Sequence, residues 1–426
     1  MRQLLLLAVA TLMIWGCGSN ACSPKLSNIY DAITDEHFKE FCERFDTNND
    51  GILSNEEAEA ATTIDLWPLL NKRVRTLDGI EYFPNLEELR CRDNEISQLD
   101  LSMNKKLKQL DCNRNQLATL KLPNNSALTM LSCNDNQLTT LDVSGCRELT
   151  YLDFSYNRVE AIDLSECALL EVAICDNNLI QAITGLEKCT ALQWLYCNSN
   201  QLEELNLLEA KALEKLLCHV NRLKRLDLLS CTRLTDLWCY DNELSELDVS
   251  QNTLLTTLNC GGNDISRLDL SALSELEKFD CSDNQLTELD ISGNPMLKEL
   301  YCGFNQLQQL DVTKNILLND LSCSYNAIEE LNLMVNFRLE WLDCSDNRLL
   351  TLDLSSCRSL QELNCSSNQL KELNISKNKK LYKLDCRENP KLTTIPVWEG
   401  LNTNNDPDNP IDRIRKDEQS TFLKKP

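Results

Sequence analysis

The residues best placed to do chemistry lie between Asp46 and Glu57. Asp46, Asn48, Asp50, Ser54 and Glu57 carry side-chain oxygens at short, regular spacing, and Gly51 stands where such a loop must turn sharply. An all-oxygen donor set suits a hard cation such as calcium. Elsewhere the chemistry is thin. The two histidines, His37 and His219, have no Ser-His arrangement, carboxylate pair or phosphate loop around them. The 22 cysteines include no C-x-x-C pair of the kind a zinc site uses. These residues argue against an enzyme and for a chain that binds.

The twelve residues from Asp46 to Glu57 resemble an EF-hand loop. The resemblance implies Ca2+ as a structural cofactor, held by the side chains of Asp46, Asn48, Asp50 and Ser54, the carbonyl of Ile52 and a bidentate Glu57. Phe38, Phe41 and Phe45 mark one face of an entering helix, and the chain after Glu57 reads as an exit helix. Only one such loop is present, which implies modest affinity and a role in stiffening a cap. The competing reading is a solvated acidic turn.

These elements need a scaffold, and the ends of the chain say where it resides. Arg2 precedes an apolar run from Leu4 to Ile14, broken only by Thr11. The run is too short to span a bilayer and reads as an export signal. Ile14-Trp15-Gly16-Cys17 resembles a bacterial lipoprotein signal, which implies removal of residues 1–16, lipidation of Cys17 and a linker over residues 17–27. An ordinary signal peptide cut near Ala21 is the plainer alternative. The expected location is therefore outside the cytoplasm, lipid-anchored to the bacterial envelope at the outer membrane or cell surface, with the lipid as the only membrane contact. A formal charge of -24 argues against nucleic acid and disfavours anionic lipid.

The scaffold is a repeat. The pattern L-x-C-x-x-N recurs fifteen times from Leu89 to Asn389, in steps of 21 residues with one step of 22 between Cys175 and Cys197. Phe154 takes one Cys slot, and Ala173 and Phe279 stand in for Leu. In each unit Leu and Cys alternate with polar residues, the mark of a half-buried strand. Stacked strands form a parallel sheet at about 4.8 Å per step, so fifteen rungs make an arc of roughly 70 Å. The Asn turns the chain and bonds backbone groups of neighbouring rungs.

These units resemble leucine-rich repeats of the bacterial cysteine-ladder type, found in some internalins and many Bacteroidetes surface proteins. The implied fold is an α/β-type repeat protein dominated by β: a leucine-rich-repeat solenoid over residues 71–395, with a curved parallel sheet on its concave side. The EF-hand-like helical module (28–70) caps its start, and a cap and loose tail (396–426) follow it. The units from Leu77 and Ile183 look like the longer internalin form, whose convex side is helical. Ile395 and Val397 read as a closing strand, with Trp398 covering the exposed core.

The ladder thiols read as small hydrophobes. Stacked Cβ atoms about 5 Å apart exceed the roughly 3.5–4.5 Å that a disulfide needs. A second column alternates between Cys (146, 167, 189, 231, 357) and Asn (104, 125, 252, 294, 315, 336, 378), as a tight buried turn would permit. An Asp column (100, 142, 163, 227, 248, 269, 290, 311, 353) reads as a solvated convex stripe.

The outward strand positions carry large rings. Trp194, Tyr196, His219, Trp238 and Tyr240 cluster in mid-array, with Tyr151, Tyr156, Tyr301 and Trp341 further along, joined by Phe304 and Tyr325. Exposed aromatics favour binding surfaces, although they also suit strands in general. The expected function is a non-enzymatic binding or adhesion module, a monomer that captures a protein or glycan, with the internalin resemblance implying a host surface as its setting. The alternative is an envelope scaffold or spacer without a specific soluble ligand.

Overall fold

A computed structural model describes residues 25–66, 72–124, 127–399 and 413–425. The chain winds as a β-solenoid, each turn laying one three-residue strand into a 17-stranded parallel sheet. Period 2 explains the brevity: Leu195 points inward between Ala173 and Leu216 of the adjoining rungs, and its neighbours Trp194 and Tyr196 point outward. Within one turn Leu89, Cys91, Ile96, Leu99 and Leu101 are all buried. Each buried leucine contributes roughly 1.5–3 kcal/mol, which no single turn accumulates without a neighbour to close its open faces.

Polar ladders set the spacing. Asn284 donates from Nδ2 to the carbonyls of Cys260, Cys281 and Ser282, and its Oδ1 accepts the Ile265 N–H at 2.9 Å. One amide thus satisfies groups on two rungs. In the second column Asn294 Nδ2 reaches the Leu270 and Leu273 carbonyls at 3.1 and 2.8 Å. Every described cysteine is buried and outside any disulfide. Burial pushes their thiol pKa values up, to about 11 at Cys167 and about 12 at Cys231.

The two longer units carry single 3-10 turns, Ile80–Tyr82 and Leu186–Lys188, rather than α-helices. Gly185 makes the second possible: its φ is +79°, and a Cβ there would lie 2.2 Å from the Ser165 nitrogen. The Asp column does more than face water. Asp142, Asp248 and Asp290 each accept the N–H two residues on, which closes the back turn and holds their carboxyls below the usual range.

At the start of the chain, α1 (Glu36–Cys42) is N-capped by Asp35 and α2 (Asn55–Ala60) opens with a Ser54/Glu57 capping box. Thr63–Asp65, inside the stretch read as helical, is already the first rung and pairs with Glu88–Arg90. Phe45 packs edge-on against Phe41 and Phe83, which joins the module to the repeat core. At the other end Thr394–Trp398 forms the expected strand but does not close the array, because residues 413–425, expected as a loose tail, lie beyond it. Arg413–Arg415 extends the long sheet beside Lys383–Asp385, and Thr421–Lys425 pairs with Thr394–Trp398.

Candidate binding face

Three successive rungs, Trp194–Tyr196, Lys215–Leu217 and Asp236–Trp238, build the mid-array patch. Strand register places Tyr196 beside Leu217 and Leu217 beside Trp238, while Trp194 faces Lys215. Trp194 and Tyr196 stack with planes 1° apart and centroids 6.4 Å apart. The Lys215 ammonium lies 5.6 Å from the Trp194 ring centroid. On the other side His219 stacks on Tyr240 at 4.2 Å and leans toward Trp238 at 6.2 Å. Two aromatic pairs therefore flank an apolar floor at Leu217, with one cation beside them. Trp194 and Trp238 remain 38% and 37% exposed, so their faces are open to a ligand.

The electrostatics of this patch are mild. Burial lowers the His219 pKa, partly offset by the Asp241 carboxylate, and the ring is neutral at pH 7. Its Nδ1 is buried without a hydrogen-bond partner in the structure. Burial raises the Tyr240 hydroxyl, so it too stays neutral. Such a surface offers stacking, dispersion and a few hydrogen bonds, and it lacks the nucleophile–base geometry that bond-breaking requires.

The remaining predicted rings do not join that centre. Tyr151 stands on the Tyr151–Asp153 strand, with Val172–Ile174 intervening before Trp194. Tyr301 and Trp341 form a separate pair at 6.0 Å across the rung of Asp320–Ser322. Tyr156, read as a strand position, is displaced: it occupies the turn two residues past the ladder slot, with φ of +52°. Phe304 and Tyr325 occupy the same turn and stack at 4.1 Å, each about half exposed. The period-2 reading ran past the end of the strand. The signal for these residues was the column itself, which holds Asp, Asn, Ser or Gly in most other rungs.

Around the Asp46–Glu57 loop the oxygens are organised by the backbone. Asp46 Oδ2 accepts the Gly51 N–H at 2.9 Å, Asn48 Oδ1 the Asp50 N–H and Asp50 Oδ1 the Ile52 N–H, each at 2.8 Å. Gly51 adopts φ of +78° with open space around its Cβ position. Glu57 reaches back to Ser54 and Thr47, and the Ser54 bonds above all hold its pKa down at about 2. Asn28 and Ile29 take the place of a second loop: Leu53 N–H donates to Asn28 Oδ1 and its carbonyl accepts from Ile29 N–H. The donor chemistry suits calcium, yet among the described residues no three His, Cys, Asp or Glu side chains gather as a metal-holding group.

An open groove of about 1370 Å³ lies away from the aromatic patch. Four cations (Arg222, Lys224, Arg225, Arg267) share its wall with six carboxylates, Glu246 and Asp269 among them, so the groove is mildly acidic. No described helix is long and apolar enough to cross a membrane. Lipidation at Cys17 falls outside the described residues.

Solved structures share this architecture. The functional domain of InlJ from Listeria monocytogenes, which includes a cysteine ladder, is 31% identical with a TM-score of 0.77, covering 90% of this chain and 85% of that one. A leucine-rich-repeat protein of Leptospira interrogans is 23% identical with a TM-score of 0.56, covering 70% and 77%. The leucine-rich effector YopM from Yersinia pestis is 24% identical with a TM-score of 0.61, covering 77% and 88%. No family model and no curated protein matches the chain.

Proposed function

The chain belongs to the internalin-like leucine-rich-repeat proteins that carry a cysteine ladder, and from that premise we propose that it is a non-enzymatic binding module of the bacterial envelope. The observation that carries this reading is the mid-array patch: Trp194, Tyr196, His219, Trp238 and Tyr240 expose ring faces around Leu217, beside Lys215. Leaving two half-open tryptophans in water forgoes burial worth roughly 1.5 kcal/mol or more for each, which a ligand recovers. The ligand is a protein or glycan that presents an apolar face bordered by hydroxyls or carboxylates, because stacking and one ammonium are what the patch offers. In this reading the chain is exported, anchored through a lipid on Cys17 and monomeric. Calcium in the Asp46–Glu57 loop stiffens the first rung.

The test is a binding screen of the purified chain against glycan, mucin and matrix-protein arrays, in parallel with a Trp194→Ala/Trp238→Ala variant of matched melting temperature. A ligand held by the wild type and lost by the variant supports the patch. A chain that binds nothing, or a variant that binds as well as the wild type, favours a structural spacer of the envelope instead.

A further inference from the structure

The edge of the solenoid where the chain turns from the back into the strands changes character along its length. Five of the earlier turns carry an acid (Glu148, Glu166, Glu187, Glu209, Glu275), and of the earlier cations Arg147, Lys211 and Arg233 are ion-paired while Lys105, Lys106 and Lys188 are not. The four turns at 313–317, 334–338, 355–359 and 376–380 contain no acid at all. They hold Lys314, Arg338, Arg358, Lys377, Lys379 and Lys380, all exposed and none in an ion pair with a described carboxylate. In a chain with a formal charge of -24 this is a local reversal of sign.

The same turns break a second rule. Their columns are polar or small in most rungs, with Leu208 and Leu229 as earlier exceptions in the Met334 column, and here Ile316, Met334 and Phe337 stand together, 54%, 63% and 61% exposed. Met334 takes a position held by Ser144, Ser165, Ser250, Ser271, Ser292 and Ser355 elsewhere, and its N–H still donates to Asn332 Oδ1 as those serines do to their Asp. The turn therefore does not need a methionine. At about 4.8 Å per rung the four turns span about 15 Å, so the three apolar side chains and six cations form one patch.

We propose that this edge is a membrane-contact surface that seats the solenoid on an anionic bilayer. Ile316, Met334 and Phe337 enter the headgroup layer while the six cations meet lipid phosphates, the pairing of apolar side chains and Lys/Arg that interfacial binding requires. The acidic remainder of the molecule does not prevent this, because charges beyond about 8 Å are screened at physiological ionic strength. A soluble polyanion would engage the cations but would leave Phe337 and Met334 in water, which is why a lipid surface fits better.

Sedimentation of the purified chain with vesicles tests it, using pure phosphatidylcholine and phosphatidylcholine mixed with an equal amount of phosphatidylglycerol. Two variants accompany the wild type: Lys377→Gln/Lys379→Gln/Lys380→Gln, and Met334→Ser/Phe337→Thr, which installs residues those columns already use. The wild type should bind the mixed vesicles and not the neutral ones. Each variant should weaken that binding at least about tenfold, with melting temperatures unchanged. Absence of binding overturns the proposal, as does equal binding to both vesicle types or binding that neither variant alters. Insertion of the apolar N-terminal stretch would give that last pattern. Capture of a soluble polyanion that depends on the lysines but not on Met334 and Phe337, without vesicle binding, would reassign the patch to polyanions.

Discussion

His219 stacks on Tyr240 with ring centroids 4.2 Å apart and planes 14° apart, and burial keeps its imidazole below the ordinary pKa. The two residues follow the ladder cysteines of adjacent rungs, so rung spacing itself sets them face to face. Protonating His219 would place a charge against two rings with its Nδ1 unpartnered.

A pH dependence follows. Because the folded pKa is depressed, the unfolded chain binds the proton more readily; the neutral ring's contribution is whole above the ordinary value of 6.5, begins to be lost below it and is gone once pH has fallen through the lower folded pKa. The unfolding free energy of the wild type should therefore fall more steeply than that of His219→Phe as pH drops from about 7.5 to about 5.5. Urea unfolding at several pH values measures both curves. If they run parallel, His219 is not desolvated as described.

Val220 is a β-branched residue held at φ of +54°, in a column where most rungs place Asp, Asn, Ser or Gly. Left-handed backbone is costly for such a side chain, at about 1 kcal/mol or more. Val220→Asn should raise stability by about that amount. Phe304→Asn in the equivalent turn should change stability little, because strain relief is offset by loss of the Tyr325 stack, worth about 0.5–1.5 kcal/mol. Chemical denaturation of both variants decides it, and a destabilised Val220→Asn would refute the strain argument.

Buried thiols should be silent in the folded chain. Every described cysteine is buried, and the pKa of Cys189 and of Cys357 is pushed up to about 12 by burial. In a Cys17→Ser/Cys22→Ser variant at pH 8, Ellman's reagent should release no thiol until denaturant unfolds the chain, because the reactive thiolate is absent and shielded. Rapid labelling under native conditions would show that rungs open or that the ladder is accessible.

Calcium is the next expectation. Glu57 already closes the loop through Ser54 and Thr47, so an ion would compete for oxygens that now hold backbone and hydroxyl groups. Affinity should fall in the weak range, about 10⁻⁴–10⁻³ M. Glu57→Gln keeps a residue able to complete the capping box but removes the carboxylate. Millimolar calcium should raise the melting temperature of the wild type and leave Glu57→Gln unchanged. A wild type indifferent to calcium would return the loop to a solvated acidic turn.

The periodic part of the molecule was readable because each structural role repeats: the buried Leu and Cys positions, the Asn ladder and the shared Asn/Cys column all fall where spacing puts them. What escaped lies where a role does not repeat or where local backbone overrides period 2. Tyr156, Phe304 and Tyr325 look like strand positions by alternation but sit three residues past the strand, at positive φ. The Asp column resembled a solvated stripe because its bonds run to its own backbone two residues on. The pairing of Arg413–Arg415 with Lys383–Asp385 occurs once and follows residues without the repeat.

The two asparagine columns should respond unequally to substitution. Asn284 satisfies the Ile265 N–H and three carbonyls at once. Asn284→Ala would leave several buried groups without partners, at 1–3 kcal/mol for each that finds no water, so a loss of about 3 kcal/mol or more is expected. Asn294 also donates twice, but its Oδ1 is buried with no hydrogen-bond partner, as are those of Asn252, Asn315, Asn336 and Asn378. Replacing it with the cysteine that other rungs carry removes two donors together with that orphaned acceptor. The thiol of Cys167 still reaches the Val143 carbonyl at 3.9 Å in the equivalent place. Asn294→Cys should therefore cost about 1 kcal/mol or less, and urea denaturation compares the pair directly. Similar losses at both sites would mean that the columns are equivalent hydrogen-bonding ladders, and that the Asn/Cys alternation has another cause.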